Sequence, residues 1–150
     1  MTQKSKDINT KCVHQGELPV DQYKSAVSPL YFSTAFDYQD QGIDQYPRYF
    51  NTPNQIGLNQ KIAALDNCEA GLVFASGMAA ITTTLLGLLN AGDHMVVQNS
   101  IYGGTYNFVA NHIRDFGIEY DYTTGLTATD FADKLKPNTK LIYIESPSNP

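Results

Sequence analysis

Basic side chains are scarce in this chain: ten lysines and arginines stand against fifteen acidic residues, a formal net charge of -5. Sequence-independent binding of nucleic acid needs a cationic surface for the phosphates, so no nucleic-acid partner is expected. Long apolar runs are missing as well. Stretches such as Leu85 to Leu89 fall far short of the roughly 20 residues that span a bilayer. The opening MTQKSKDINTK has no apolar signal core. These absences read as a soluble, unexported, cytoplasmic protein with no membrane partner. Cysteine occurs twice, at Cys12 and Cys68, with neither metal-ligand spacing nor the density of a disulfide scaffold. Both are expected to be ordinary buried thiols. A Walker loop and a G-x-G-x-x-G turn are also absent.

What is present suits one ordinary core. The 150 residues are 42% hydrophobic and 17% charged, enough to fold as a domain and against a disordered tail. Residues 1–54 hold four of the seven prolines, many aromatics and little periodicity, and read as an extended arm. Residues 55–150 read as a packed domain. Ile56, Leu58, Ile62, Ala63 and Leu65 recur at helical spacing towards Cys68, and LVFA at 72–75 predicts a short buried strand ending at Ser76. Met78, Ile81, Leu85, Leu88 and Leu89 mark a helix that stops at Asn90-Ala91-Gly92-Asp93. A strand over 94–98, a helix over 105–116 ending at Gly117, a strand over 118–122, a helix over 129–136 and a strand over 141–145 complete the alternation. Strands separated by helices pair in parallel through right-handed crossovers, so the expected class is α/β, a mostly parallel sheet with helices on both faces. The chain stops at Pro150 directly after a strand, with no closing helix, and is expected to be unfinished.

In open α/β sheets ligands bind beyond the carboxyl ends of the strands. The first such turn, Ala75-Ser76-Gly77-Met78, offers unpaired N–H groups at a helix start, a setting for phosphate. A plain cap at Ser76 and a turn at Gly77 would account for it equally. The second turn carries Tyr102, followed by Gly103, Gly104 and Thr105; glycines beside a tyrosine leave room for a flat aromatic ligand over its ring. The third contains Glu145 and Asn149, an acceptor and a mixed donor-acceptor that ordinary turn chemistry also explains. In the arm, Tyr46 and Arg48 pair a phenol with a guanidinium fork suited to a phosphate dianion. Arg114, beside Asp115, reads as a water-facing helix residue. His14, His94 and His112 have no partner pattern for metal or nucleophilic catalysis and read as structural or exposed.

Together these segments resemble the pyridoxal-phosphate-dependent enzymes of cysteine and methionine metabolism, the group of cystathionine gamma-synthase and gamma-lyase. The resemblance runs through Val13-His14-Gln15-Gly16, Ala26-Val27-Ser28-Pro29-Leu30 and Tyr46-Pro47-Arg48. It is most specific in Phe74-Ala75-Ser76-Gly77-Met78-Ala79-Ala80-Ile81, Gly92-Asp93-His94, Tyr102-Gly103-Gly104-Thr105 and Glu145-Ser146-Pro147-Ser148-Asn149-Pro150. It implies the amino-terminal part of the large domain of the aspartate-aminotransferase-like fold. It also implies pyridoxal 5'-phosphate as cofactor, with Ser76, Gly77 and Met78 on its phosphate and Tyr102 stacked on its ring.

By the same resemblance Tyr46 and Arg48 bind the phosphate of a neighbouring subunit's cofactor, in a homotetramer whose active unit is a dimer. Asn149 lies near the cofactor's phenolic oxygen and the carboxylate of an amino-acid substrate. The implied reaction removes the alpha proton and then eliminates or replaces at the gamma carbon. A Schiff-base lysine, an aspartate for the ring nitrogen in place of Glu145, and a substrate-binding arginine are all expected beyond Pro150. Asn51-Thr52-Pro53-Asn54 departs from the family's usual Asn-Pro-Thr and leaves the shape of that loop open. Methionine gamma-lyases usually carry a cysteine where Gly104 stands, which favours the synthase, the gamma-lyase and the acetylhomoserine sulfhydrylases; beta-lyase stays open. The reading from another class is a non-catalytic binding or assembly module of 150 residues.

Overall fold

The computed structural model describes residues 7–18, 23–37 and 45–148. The chain divides into two compact units, Met1–Val73 and Phe74–Pro150.

The first unit contains α1 (Ile8–His14) and α2 (Pro53–Leu65), with a 3-10 turn at Pro47–Tyr49. The region read as an arm thus carries a two-turn helix that periodicity did not announce. Pro53 opens α2 at a position where its missing N–H costs nothing. Gln55 Oε1 accepts from the Thr52 backbone N–H at 3.2 Å and from Thr52 Oγ1 at 2.8 Å. After α1 the chain passes over α2 at Gly16, whose φ is +73 and whose missing Cβ would run into the Gly57 carbonyl. Only glycine meets both demands.

No strand forms over 72–75. Leu72 is 62% exposed, and the Val73 N–H is satisfied at 2.9 Å by Asn59 Oδ1 from α2, where a neighbouring strand would otherwise have supplied the acceptor. The thiols also differ from expectation: Cys12 and Cys68 are both free and exposed.

The second unit is α/β. It comprises α3 (Gly77–Leu88), β1 (His94–Val97), α4 (Gly103–Asn111), β2 (Glu119–Tyr122), α5 (Ala128–Ala132) and β3 (Thr139–Tyr143). The strands form a parallel sheet in the order β2-β1-β3. His94 to Val97 pairs with Glu119 to Tyr122 on one side, and Met95 to Val97 with Leu141 to Tyr143 on the other. Central β1 is buried along its length, which explains an apolar run without alternation. Leu85 and Leu89 from the α3 segment, Val109 from α4, Ile113, Met95, Val97, Ile101 and Ile118 form one cluster. It places α3 and α4 on one face, each large buried side chain contributing about 1.5–3 kcal/mol. The β1-to-β2 and β2-to-β3 connections run in opposite directions across the sheet, so right-handed crossovers put α4 and α5 on opposite faces.

The expected helix at 105–116 begins earlier, at Gly103, and divides into α4 and a 3-10 turn over Ile113–Phe116. It does stop at Gly117, with φ +74. Strand β3 lies two residues earlier than expected, which leaves Glu145 just beyond its carboxyl end.

Candidate functional site

The carboxyl ends of β1 and β3 are tied together. Buried Gln98, the residue after β1, donates from Nε2 to the Ser100 carbonyl at 2.6 Å and to the Glu145 carbonyl at 3.2 Å. The Glu145 side chain reaches back in the other direction. Its Oε2 accepts the Tyr102 backbone N–H at 2.6 Å, and its Oε1 accepts the hydroxyls of Tyr143 at 2.7 Å and Thr105 at 3.0 Å. Partial burial pushes the Glu145 carboxyl up, but the Tyr102 amide and the two hydroxyls outweigh it and hold the group below its ordinary value. Burial and the adjoining carboxylate push the Tyr143 phenol up to about 12, so it stays protonated and donates.

Tyr102 itself is the N-cap of α4. The residue is 47% exposed, an aromatic side chain held at the carboxyl edge of the sheet with room for a ligand. Gly104 explains how close the next element comes. A Cβ there would stand 2.5 Å from Cε1 of Tyr102 and 3.1 Å from Sδ of Met78. The tyrosine turn and the first turn of α3 therefore adjoin through the space that glycine vacates. Thr105 Oγ1 adds a weak contact to Met78 Sδ at 3.9 Å.

At the start of α3, Ser76 has extended backbone and its Oγ accepts the Ala79 N–H at 3.1 Å. The Ala80 N–H takes the Ser76 carbonyl, so the N–H groups of Gly77 and Met78 have no acceptor within the helix. A side chain at Gly77 would meet nothing within 4 Å, so the space beside these donors is open. Free amides at a positive helix end suit an anion. An exposed aromatic face beside that end suits a planar group, and the two together fit a ligand that is a phosphorylated ring.

In the first unit, Tyr46 and Arg48 are both exposed and share one short segment. Asn51 Oδ1 accepts the Tyr46 N–H at 2.8 Å, and Gln55 Nε2 donates to the Pro47 carbonyl at 2.9 Å. The departure at Asn51-Thr52-Pro53 therefore has a definite shape: a 3-10 turn pinned to the start of α2. Tyr46 meets Tyr49 edge to face, ring centroids 5.3 Å apart. Among the described residues Arg48 forms no ion pair.

Asn149 lies outside the described residues. His94 is structural: fully buried, with Nδ1 2.8 Å from Thr139 Oγ1 and Nε2 3.4 Å from Asp121 Oδ2. His14 and His112 are exposed. Arg114 is exposed but does more than face water, its guanidinium lying 4.9 Å from the centre of the Tyr120 ring. Among the described residues no group of three His, Cys, Asp or Glu is placed to hold a metal, and no helix is long and apolar enough to cross a membrane. The roles of Glu145, Thr105, Tyr143 and Gln98 in shaping this edge escape sequence reasoning. Their one available signal is that an acidic residue and a tyrosine turn follow neighbouring strands.

Residues 9–150 match the protein family described as Cys/Met metabolism PLP-dependent enzyme. The chain is 39% identical over 147 residues to cystathionine beta-lyase MetC of Bacillus subtilis, covering 95% of this chain and 37% of that protein. It is 38% identical over 152 residues to cystathionine gamma-lyase of Saccharomyces cerevisiae, covering 99% of this chain and 38% of the relative. The crystal structure of metB from Corynebacterium glutamicum superposes with a TM-score of 0.87 at 35% identity, covering 97% of this chain and 38% of that one. The chain thus spans less than two fifths of the length of each of these two relatives.

Proposed function

Because this chain belongs to the pyridoxal-phosphate-dependent enzymes of cysteine and methionine metabolism, we propose that it serves a trans-sulfuration enzyme acting at the gamma carbon of cystathionine or an O-acyl-homoserine. The reaction is that of a cystathionine gamma-synthase or gamma-lyase. The observation that carries the proposal is the junction at Gly104, where an exposed tyrosine adjoins the turn that presents two amides without an acceptor in their own helix.

Bound pyridoxal phosphate supplies an electron-withdrawing ring that stabilises negative charge developing beside the substrate's amino group. Gly77 and Met78 donate backbone N–H groups to the phosphate. Ser76 Oγ, already accepting from Ala79, keeps its own hydrogen to donate there as well. Tyr102 touches the ring and is the catalytic residue of this set. Tyr46 and Arg48 reach the phosphate in a neighbouring subunit, where the guanidinium adds a charge-assisted fork. Asn149 serves the phenolic oxygen and the substrate carboxylate. The assembly is a cytoplasmic homotetramer with the dimer as its active unit, residues 1–54 forming the arm that crosses and 55–150 the first part of the cofactor domain.

Relatives named for beta- and gamma-elimination are equally similar to this chain, so substrates separate the possibilities. Pyridoxal phosphate added to the full-length protein gives an absorbance band near the visible edge that borohydride removes; no such band would sink the proposal. Cystathionine, methionine and acyl-homoserines are then assayed for ammonia, keto acid and cystathionine. Cystathionine formation or gamma-cleavage is expected. Methanethiol from methionine, beta-cleavage, or sulfide incorporation into acetylhomoserine would reassign the enzyme to methionine gamma-lyase, cystathionine beta-lyase or acetylhomoserine sulfhydrylase.

A further inference from the structure

Among the described residues Glu145 has no cationic partner, yet its carboxylate collects three donors from two elements. They are the Tyr102 amide that begins α4, the Thr105 hydroxyl inside α4, and the Tyr143 hydroxyl at the end of β3. A carboxylate is acceptor-only and takes all three without rearrangement. Its charge also faces the positive end of α4, a nine-residue helix whose Tyr102 cap has no side-chain acceptor of its own. Glutamine would fill the same volume but would turn one accepting oxygen into a donor, facing a group that already donates.

We infer that Glu145 is a positioning residue for the cofactor ring, fixing the height and tilt of the Tyr102 side chain by holding its backbone amide and the next turn of α4. This rests on the reading of Tyr102 as the ring's stacking partner. Both Glu145 oxygens are engaged by the chain's own donors, and the carboxylate acts through Tyr102. Thr105 extends the arrangement. Its hydroxyl donates to Glu145 and its oxygen lies 3.9 Å from Met78 Sδ, so the carboxylate also holds the turn of α4 that follows Tyr102.

The test uses the full-length protein carrying Glu145→Gln, Tyr102→Ala, or both. Three quantities are read: amide exchange at Tyr102 in the apoprotein, equilibrium titration with pyridoxal phosphate, and the visible circular dichroism of the bound cofactor. Glu145→Gln is expected to speed exchange of the Tyr102 amide, to loosen pyridoxal phosphate about tenfold, the scale of one hydrogen bond to a charged acceptor, and to alter the dichroism. In the Tyr102→Ala background it is expected to cause no further loosening, because the ring it orients is gone.

A merely structural role would give the same loss in both backgrounds, and that result overturns the inference, as does unchanged exchange and affinity. If Tyr102→Ala alone leaves affinity untouched, the stacking reading fails and the inference falls with it. Loosening by Tyr102→Ala without loosening by Glu145→Gln defeats the inference alone. Should Glu145→Gln not fold, Tyr143→Phe removes one donor from the same carboxylate and is read the same way: a smaller loss, about threefold, supports the inference, and no loss refutes it.

Discussion

A Cβ placed on Gly104 would lie 2.5 Å from Cε1 of Tyr102. The obstruction is a ring and, at 3.1 Å, the Met78 thioether, both able to swing, and no backbone atom stands in the way. Alanine also favours a helix over glycine by about 1 kcal/mol, and residue 104 is the second of α4. Gly104→Ala should therefore leave the unfolding midpoint nearly unchanged while rotating the Tyr102 ring. Thermal unfolding compared with the dichroism of bound pyridoxal phosphate checks this; a destabilised protein with an unaltered cofactor spectrum would contradict it.

Ser76→Ala removes the acceptor for the Ala79 N–H and should cost about 1 kcal/mol of stability, whereas Ser76→Gly should cost only a few tenths. Urea midpoints at constant slope measure the difference. Both variants should also bind pyridoxal phosphate more weakly, since both remove the hydroxyl hydrogen assigned to the phosphate. Equal affinity in wild type and both variants would leave Ser76 as a cap and nothing more.

Arg48 is tested by mixing subunits. Arg48→Ala and Tyr102→Ala proteins should each bind the cofactor more weakly, Arg48→Ala by about tenfold for a lost charge-assisted fork. If the two residues serve one site from different subunits, hybrids of the two variants regain intact sites and bind with wild-type affinity at a fraction of the sites. Hybrids that never regain tight binding place Arg48 and Tyr102 in the same subunit's site.

The Asp121 carboxylate lies 2.8 Å from Lys136 Nζ. The hydrogen bond from Lys136, opposed by desolvation and helped by the charges of Lys136 and His94, holds its pKa below the ordinary 3.8. A carboxyl lowered in the folded state stabilises at pH above its unfolded value and loses that contribution as pH falls through the folded one. Lys136→Met should therefore move acid unfolding to higher pH and narrow its gap from wild type at the acid end. Far-UV dichroism during an acid titration follows both; coincident curves would show the pair to be without effect, as many surface pairs are.

Legibility in the sequence followed the range of the interactions. The Ser76 cap acts on an amide three residues away and the stop at Gly117 is a single backbone angle, so both could be read from neighbouring residues. The parallel α/β order could be read for a similar reason, from the alternation of elements. The run at 72–75 misled because an apolar tetrapeptide looks the same whether a strand or a helix side chain satisfies its amides, and here Asn59 does. Cys12 and Cys68 misled because burial depends on what packs over a residue. Glu145 stands in the sequence as an acid at a strand end, but its donors lie up to 43 positions away, and no local pattern names them.

That same separation orders the site in time. Residues 76 to 80, which form the start of α3, leave the ribosome together. The Tyr102 amide has no Glu145 to meet until 43 more residues have been made, several seconds later at about 5–20 residues per second. In the proposed site, the residues assigned to the phosphate are therefore made before the carboxylate that holds the turn assigned to the ring.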